Sequence, residues 1–334
     1  TEKQEMIEIL MELLFGMIAV LFAALLFVNA IEFLGCYLRL GRSFVGAILA
    51  PLFTSFPEMV VFLVAIFAYE SARGEAIGIG TIFGQPFMAS SLSYGLVGIS
   101  VLVGYCIKRR EDLILEVDKE LVIPYLFVTI LFPLTLLPPM LNVPHQSFGI
   151  LFLFSYLLYI WLMFRKKRVE IIEDAEKPYF CKIISNKSLS SVIQLSISVA
   201  VLYIGSHNLI HAVDSFSKNL GISPLGIALI LVPAATAIPE TASALIWGYR
   251  GKDTLSIASL VGEKILYSTF YPGIGLLLTS WALDVHAYLS VFATTFISLL
   301  LLLFIARQRV PVWALCFGLL FFISYSIAVF IYHV

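Results

Sequence analysis

The sequence predicts an all-α polytopic membrane protein of about ten transmembrane helices, arranged as two inverted five-helix repeats. Three observations lead there. Hydrophobic residues make up 60% of the 334 and charged residues only 13%, with a mean hydropathy of +0.98, a composition that excludes an ordinary soluble domain. Ten apolar stretches approach the ~20 residues that a bilayer crossing needs. Finally, PLFTSFPE, Pro51 to Glu58, returns as PAATAIPE, Pro233 to Glu240, with four of eight positions identical and no gap.

The spans are expected near residues 10–38, 44–69, 76–107, 121–139, 147–164, 189–212, 223–248, 254–282, 286–306 and 310–332. Residues 1–164 form the first repeat, the basic stretch 165–188 a cytoplasmic linker, and 189–334 the second repeat. Five spans per half bring the second copy into the membrane from the opposite side, which is inverted topology. Of the 21 Lys and Arg residues, 17 fall in one set of alternate loops, while Lys3, Arg73 and Lys218 occupy the other and Lys264 lies inside a span. That bias places both termini outside and the linker in the cytoplasm, and a plasma-membrane location is expected. The N-terminus, with acids ahead of its apolar run, does not read as a signal peptide.

Within the first half, Asn29 and Glu32 lie near the inner end of the first span, and Glu32 reads as an interfacial acid. The second span is the broken one, and the Gly-, Ala- and Ser-rich third span is expected to pack closely against it. Spans four and five, built of Leu, Phe and Ile, look like lipid-facing scaffold. In the second half, Asp253 stands nine residues before Gly262 as Glu75 stands nine before Gly84, and both acids are expected at helix N-caps. The five histidines read as interfacial, and the four cysteines, without metal-like spacing, as free thiols.

Each repeated motif places a proline and a glutamate inside an apolar segment. Proline removes a helical hydrogen bond, and freed carbonyls inside a membrane are tolerated only where they line a cavity or bind something. Pro51 and Pro233 do the same one turn earlier, Thr54, Ser55 and Thr236 add hydroxyls, and Glu58 and Glu240 add carboxylates. An all-oxygen set suits hard cations such as Ca2+ or Na+. A lone motif of this kind would read as a simple Thr-Pro kink. Two matched copies argue against that, because a charge near the bilayer centre costs about 2.5–3.5 kcal/mol on insertion scales and is borne twice. The neighbouring spans add Gln85 after Gly84 and Glu263 after Gly262. Tyr267 and Tyr271 share the Glu263 face of a helix, while Lys264 points about 100 degrees away.

At these residues the chain resembles the cation/calcium exchanger superfamily, of the sodium/calcium exchanger type. The LGISPL entry matches in Leu220 to Leu225, and the Thr-Ser-x-Pro-Glu centre matches in Thr54 to Glu58 and, with Ala237 for the serine, in Thr236 to Glu240. The resemblance implies two inverted five-helix repeats in which Glu58 and Glu240 bridge the transported cation, flanked by the threonines and neighbouring carbonyls. The sequence departs from that family on the following helices. Gln85 and Glu263 replace serines, Pro86 and Lys264 replace asparagines, and Ala89 and Tyr267 replace later Asn/Asp ligands.

The expected function is therefore secondary antiport of Ca2+ against Na+ by alternating access, with Ca2+ against H+ as the alternative. A non-transporting scaffold or receptor with a degenerate site is the competing class, and a membrane-embedded hydrolase stands well behind it for want of a zinc or serine-lysine motif. No enzymatic activity, cofactor or nucleic-acid partner is expected; the partners are the lipid bilayer and inorganic cations. Glu58, Glu240 and Glu263 with Lys264 as charge compensation sum to -2, which one divalent ion or two monovalent ions would neutralise. Moving one uncompensated charge against 100 mV costs about 2.3 kcal/mol. Fluxes in proteoliposomes are accordingly expected to ignore a clamped potential, and a strong voltage pull would count against this charge count.

Overall fold

The computed structural model describes residues 2–37, 55–69, 71–141, 143–165 and 177–332. Pro51 and Thr54 lie outside the described residues, as do the side chains of Glu32 and Cys36. The first half supplies α1 (Glu2–Tyr37), α2 (Phe56–Phe67), α3 (Ala72–Met88), α4 (Tyr94–Cys106), α5 (Val122–Leu134), the short α6 (Leu137–Leu141) and α7 (His145–Arg165). The second supplies α8 (Lys187–Leu220), α9 (Pro224–Thr236), α10 (Ile238–Tyr249), α11 (Asp253–Ser268), α12 (Phe270–Leu278), α13 (Val285–Ile305), α14 (Val312–Cys316) and α15 (Gly318–Phe330). A two-stranded antiparallel ribbon, β1 (Ile114–Glu116) with β2 (Arg309–Pro311), joins the halves at one end of the bundle.

Among the described residues, seven helical stretches are long and apolar enough to cross a bilayer, and the pair α9 and α10, bent by 63°, makes an eighth. The short α2 and the interrupted pair α11 and α12 supply the remaining membrane-embedded segments. The third span is continuous from Ala72 to Cys106 because its interruption is only a π-turn, Ala89–Ser93, between α3 and α4. Its counterpart breaks outright at Thr269, between α11 and α12.

Small residues set the closest contacts. A Cβ on Gly16 of α1 would lie 2.7 Å from the Leu209 backbone nitrogen, and one on Gly205 of α8 would lie 3.0 Å from Val20 N. Those approaches run α1 and α8 antiparallel along most of their lengths. His211 Nδ1 meets Glu12 Oε1 at 2.8 Å near one end, and Gln194 Nε2 donates to Asn29 Oδ1 at 2.9 Å near the other. Asn29 Oδ1 also accepts from the Tyr179 backbone N–H, tying the described end of the linker to this hairpin. Gly80 and Gly84 of α3, spaced four apart as in close membrane helix pairs, let α9 pack against them. A Cβ on Gly80 would meet Leu225 O at 2.6 Å, and one on Gly84 would meet Leu229 O at 2.5 Å and Pro233 Cγ at 2.7 Å.

Two acids expected as N-caps serve instead as long-range staples. Ser71 caps α3, accepting from Gly74 N, while Glu75 Oε2 accepts from Ser280 N and Oγ, after α12. Asp253 is already inside α11. Its carboxylate takes two bonds from Arg110, at 2.6 and 2.9 Å, and one from Glu116 N at 3.0 Å, all after α4. The acid opening α3 thus holds the loop after α12, and the acid opening α11 holds the loop after α4, as a pseudo-twofold relation requires. At the Arg73 end, Arg73 pairs with Asp214 of α8, which also accepts from Lys218.

Two further readings are corrected. His286 is buried beside Tyr325 and Gly226 rather than interfacial, because Asp284 caps α13 and turns its first residues inward. The fourth span is not lipid-facing throughout. One face of α5 buries Tyr125, Val128 and Phe132 in the core.

Gly84 and Gly262 occupy equivalent places, and at Gly84 the backbone of α9 leaves no room for a Cβ. Gly84→Ala should lower the melting temperature of the purified protein, since such overpacking costs about 1–3 kcal/mol. An unchanged melting temperature would contradict this packing.

Candidate ion-binding site

From Ser55 and from Ala237 onward the two repeated motifs fold alike. Ser55 and Ala237, with φ/ψ of -91°/8° and -79°/2°, each precede a helix of 12 residues that opens X-Pro-Glu. Proline is accepted in a first turn, where its missing N–H has no helical partner to lose. In the second motif Pro239 has no N–H to offer the Ala235 carbonyl one turn back, and the chain bends there. Glu58 and Glu240 stand in the first turns of α2 and α10, where the partial positive charge of a helix N-terminus favours a carboxylate.

These first turns meet α3 and α11. Gln85 Nε2 donates to Glu58 Oε1 at 3.3 Å and to Glu263 Oε2 at 3.5 Å, so the amide bridges an acid from each repeat. The Glu240 and Glu263 carboxyls lie within hydrogen-bonding reach of each other, as do Glu58 and Thr236. Glu58, Gln85 and Glu263 are only 2%, 2% and 4% exposed. Five buried oxygens nevertheless have no hydrogen-bond partner among the described residues: Glu58 Oε2, Gln85 Oε1, Glu240 Oε2, Glu263 Oε1 and the Tyr267 hydroxyl. Buried polar atoms are normally paired, so this concentration of bare oxygens, supplied by both repeats, marks a place suited to cations. Among the described residues no three His, Cys, Asp or Glu side chains close into a compact metal centre. The cluster is a loose one, with Gln85 between its acids.

The flanking candidates divide. Thr236 Oγ1 donates to Val232 O at 3.2 Å and lies beside Glu58. The Ser55 carbonyl and hydroxyl are both met by Tyr271 OH, at 2.5 and 3.1 Å, and Tyr271 stacks on Tyr267 with ring centroids 4.4 Å apart. Pro233 stays inside α9. Its own carbonyl accepts from Ala237 N at 2.8 Å, and the Leu229 carbonyl that its ring deprives of a donor packs against Gly84. Pro233 therefore shapes the contact between α3 and α9.

Lys264 is fully buried but does not join the acids. Its Nζ donates to Ser298 Oγ of α13 at 2.8 Å and lies 5.3 and 5.4 Å from the ring centroids of Tyr94 and Tyr125. Those tyrosines hydrogen-bond each other through their hydroxyls. Sequence reasoning did not find this pocket, because its members come from three spans that carry no motif. Nor did it assign Tyr271 its bond to Ser55, 216 positions away.

Comparison with known proteins gives the family and the fold. A family model described as "Sodium/calcium exchanger protein" matches residues 9–165 and 190–333. A curated relative, the "Putative antiporter CaxA" of Alkalimonas amylolytica, is 22% identical over 325 residues, covering 95% of this chain and 97% of its own. Among solved structures, the H+/Ca2+ exchanger CAX superposes with a TM-score of 0.77 at 18% identity, over 95% of this chain and 81% of its own. Native YfkE gives 0.66 at 15%, over 99% and 97%, and the sodium-calcium exchanger NCX_Mj gives 0.56 at 20%, over 97% and 98%. The solved structures share the fold. The family model covers both halves on either side of the linker, and the chain belongs to the sodium/calcium exchanger protein family.

Proposed function

We propose that this antiporter carries calcium on the Glu58, Glu240 and Glu263 carboxylates and exchanges it for protons. The observation that carries the calcium reading is the set of unpartnered oxygens from both repeats, at the first turns of two half-helices and on the helices facing them. Ca2+ takes six to eight oxygen ligands in flexible geometry. Carboxylates together with amide and phenol oxygens are of that kind, and rotation of the Gln85 amide would turn its oxygen toward the acids. Protons are favoured over sodium because Tyr271 already bonds the Ser55 carbonyl and hydroxyl. Sodium needs several such neutral oxygens at once. A carboxylate, by contrast, takes up a proton without them.

Sodium as the counter-ion is the second reading. It is supported by Gln85 Oε1 and the Tyr267 hydroxyl, neutral oxygens buried without partners among the described residues. For the whole molecule we take residues 1–164 and 189–334 as the two repeats, with both termini outside the plasma membrane and the linker in the cytoplasm. The long α1 and α8 pair, pinned to α3 through Arg73 and Asp214, is the element that rocks against the core during alternating access.

Calcium-45 uptake into proteoliposomes tests this. Uptake should follow an imposed pH gradient and ignore a sodium gradient; the reverse dependence would establish the sodium reading, and no flux with either would leave a non-transporting scaffold. Glu58→Gln and Glu240→Gln should each reduce uptake at least about 100-fold, the consequence of losing a ligand worth about 3 kcal/mol or more in a buried site. Tyr271→Phe, which removes the tyrosine hydroxyl from the Ser55 oxygens, should make calcium uptake newly sensitive to inhibition by sodium. Unchanged sodium insensitivity in that variant would show that Tyr271 is not what excludes sodium.

A further inference from the structure

Lys264 is a buried cation that the proposed ion path does not use. It follows Glu263 directly, yet on a helix the two point about 100 degrees apart. Glu263 faces Gln85 and Glu240, while the Lys264 ammonium faces α4, α5 and α13 through Tyr94, Tyr125 and Ser298. This pocket is made for a positive charge. Two tyrosine ring faces attract a cation through their quadrupoles, and the Ser298 oxygen accepts one of its protons. Among the described residues no carboxylate pairs with it. A charge held there is not cancelled by any described carboxylate, and the acids it would act on lie on the other side of α11.

We propose that Lys264 is a resident cation that sets the exchanger's selectivity and release rate by repelling its cargo from behind the ion site. This rests on the reading that the three carboxylates carry the ion. The repulsion is proportional to the charge of the cargo, so a fixed ammonium penalises a divalent ion twice as heavily, in free energy, as a monovalent one. Three buried carboxylates alone would hold calcium tightly and release it slowly. With Lys264 behind them, calcium binds more weakly and leaves faster, and a monovalent counter-ion competes on better terms. Lys264 touches no transported ion in this scheme; it is a positioning charge, acting through the Glu263 side of the helix.

The test compares Lys264→Met, Lys264→Gln and Lys264→Arg in full-length protein reconstituted into liposomes, measuring calcium-45 uptake against calcium and against the monovalent counter-ion. Both neutral variants should lower the KM for calcium at least about tenfold and lower kcat with it, as slower release requires. The half-saturating concentration of the counter-ion should fall by only about the square root of that factor. Arginine keeps the charge and should keep wild-type values. Should the methionine variant fail to accumulate, the glutamine variant, which can still bond Ser298, carries the same expectation. An unchanged or raised calcium KM in an active neutral variant, or equal factors for the two ions, would overturn the role of Lys264 while leaving the carboxylate site standing. Absence of gradient-driven calcium uptake by the wild type would overturn both.

Discussion

A carboxylate in the middle of a membrane protein needs a reason to be there, and here the reason is the position of Glu58 and Glu240 in the first turns of two short helices. Ordinary helices satisfy their backbone internally and offer nothing to a charge. The X-Pro-Glu sequence opens a helix just before each glutamate and so directs the dipole of a helix N-terminus at the acid. The rest of the architecture serves that arrangement. The glycines of α3 let α9 approach within contact of its backbone, and the paired staples at Glu75 and Asp253 hold the loops that follow α12 and α4.

Symmetry accounts for the fold but not for the chemistry. The backbones at Ser55 and Ala237 are nearly superposable, and both following helices have 12 residues. The groups that face them differ. The first repeat contributes the neutral Gln85, which bridges two acids, whereas the second contributes Glu263, a lysine turned away from it, and a stacked tyrosine pair that reaches back to Ser55. A site with identical halves would be neutralised by one amount of charge from either repeat. The unequal partners make charge and selectivity adjustable without disturbing the helix breaks that define the scaffold.

Much of this was legible in the sequence. The polytopic helical class, the inverted repeat and the gathering of Glu58, Gln85 and Glu263 follow from hydropathy, proline and spacing. Those properties act within one helix or are repeated in the chain, so the linear order preserves them. The acids at Glu75 and Asp253 were misread as caps because a carboxylate near a helix start has a local partner available; the structure gives each a distant one instead. His286 was misjudged for a similar reason, since a residue at a span end is usually solvated, but here Asp284 and Tyr325 enclose it.

By itself, then, the sequence determined that the chain crosses the membrane about ten times in two inverted halves, and that each half brings one acid to a helix break. It did so because hydrophobic length and missing backbone donors are properties of consecutive residues. Only the tertiary structure decided that Gln85 bridges acids of both repeats, that Tyr271 covers Ser55, and that Lys264 rests against Tyr94, Tyr125 and Ser298 rather than among the carboxylates. Those contacts join residues from different spans. Their geometry depends on helix rotation and crossing, which periodicity along one helix does not specify.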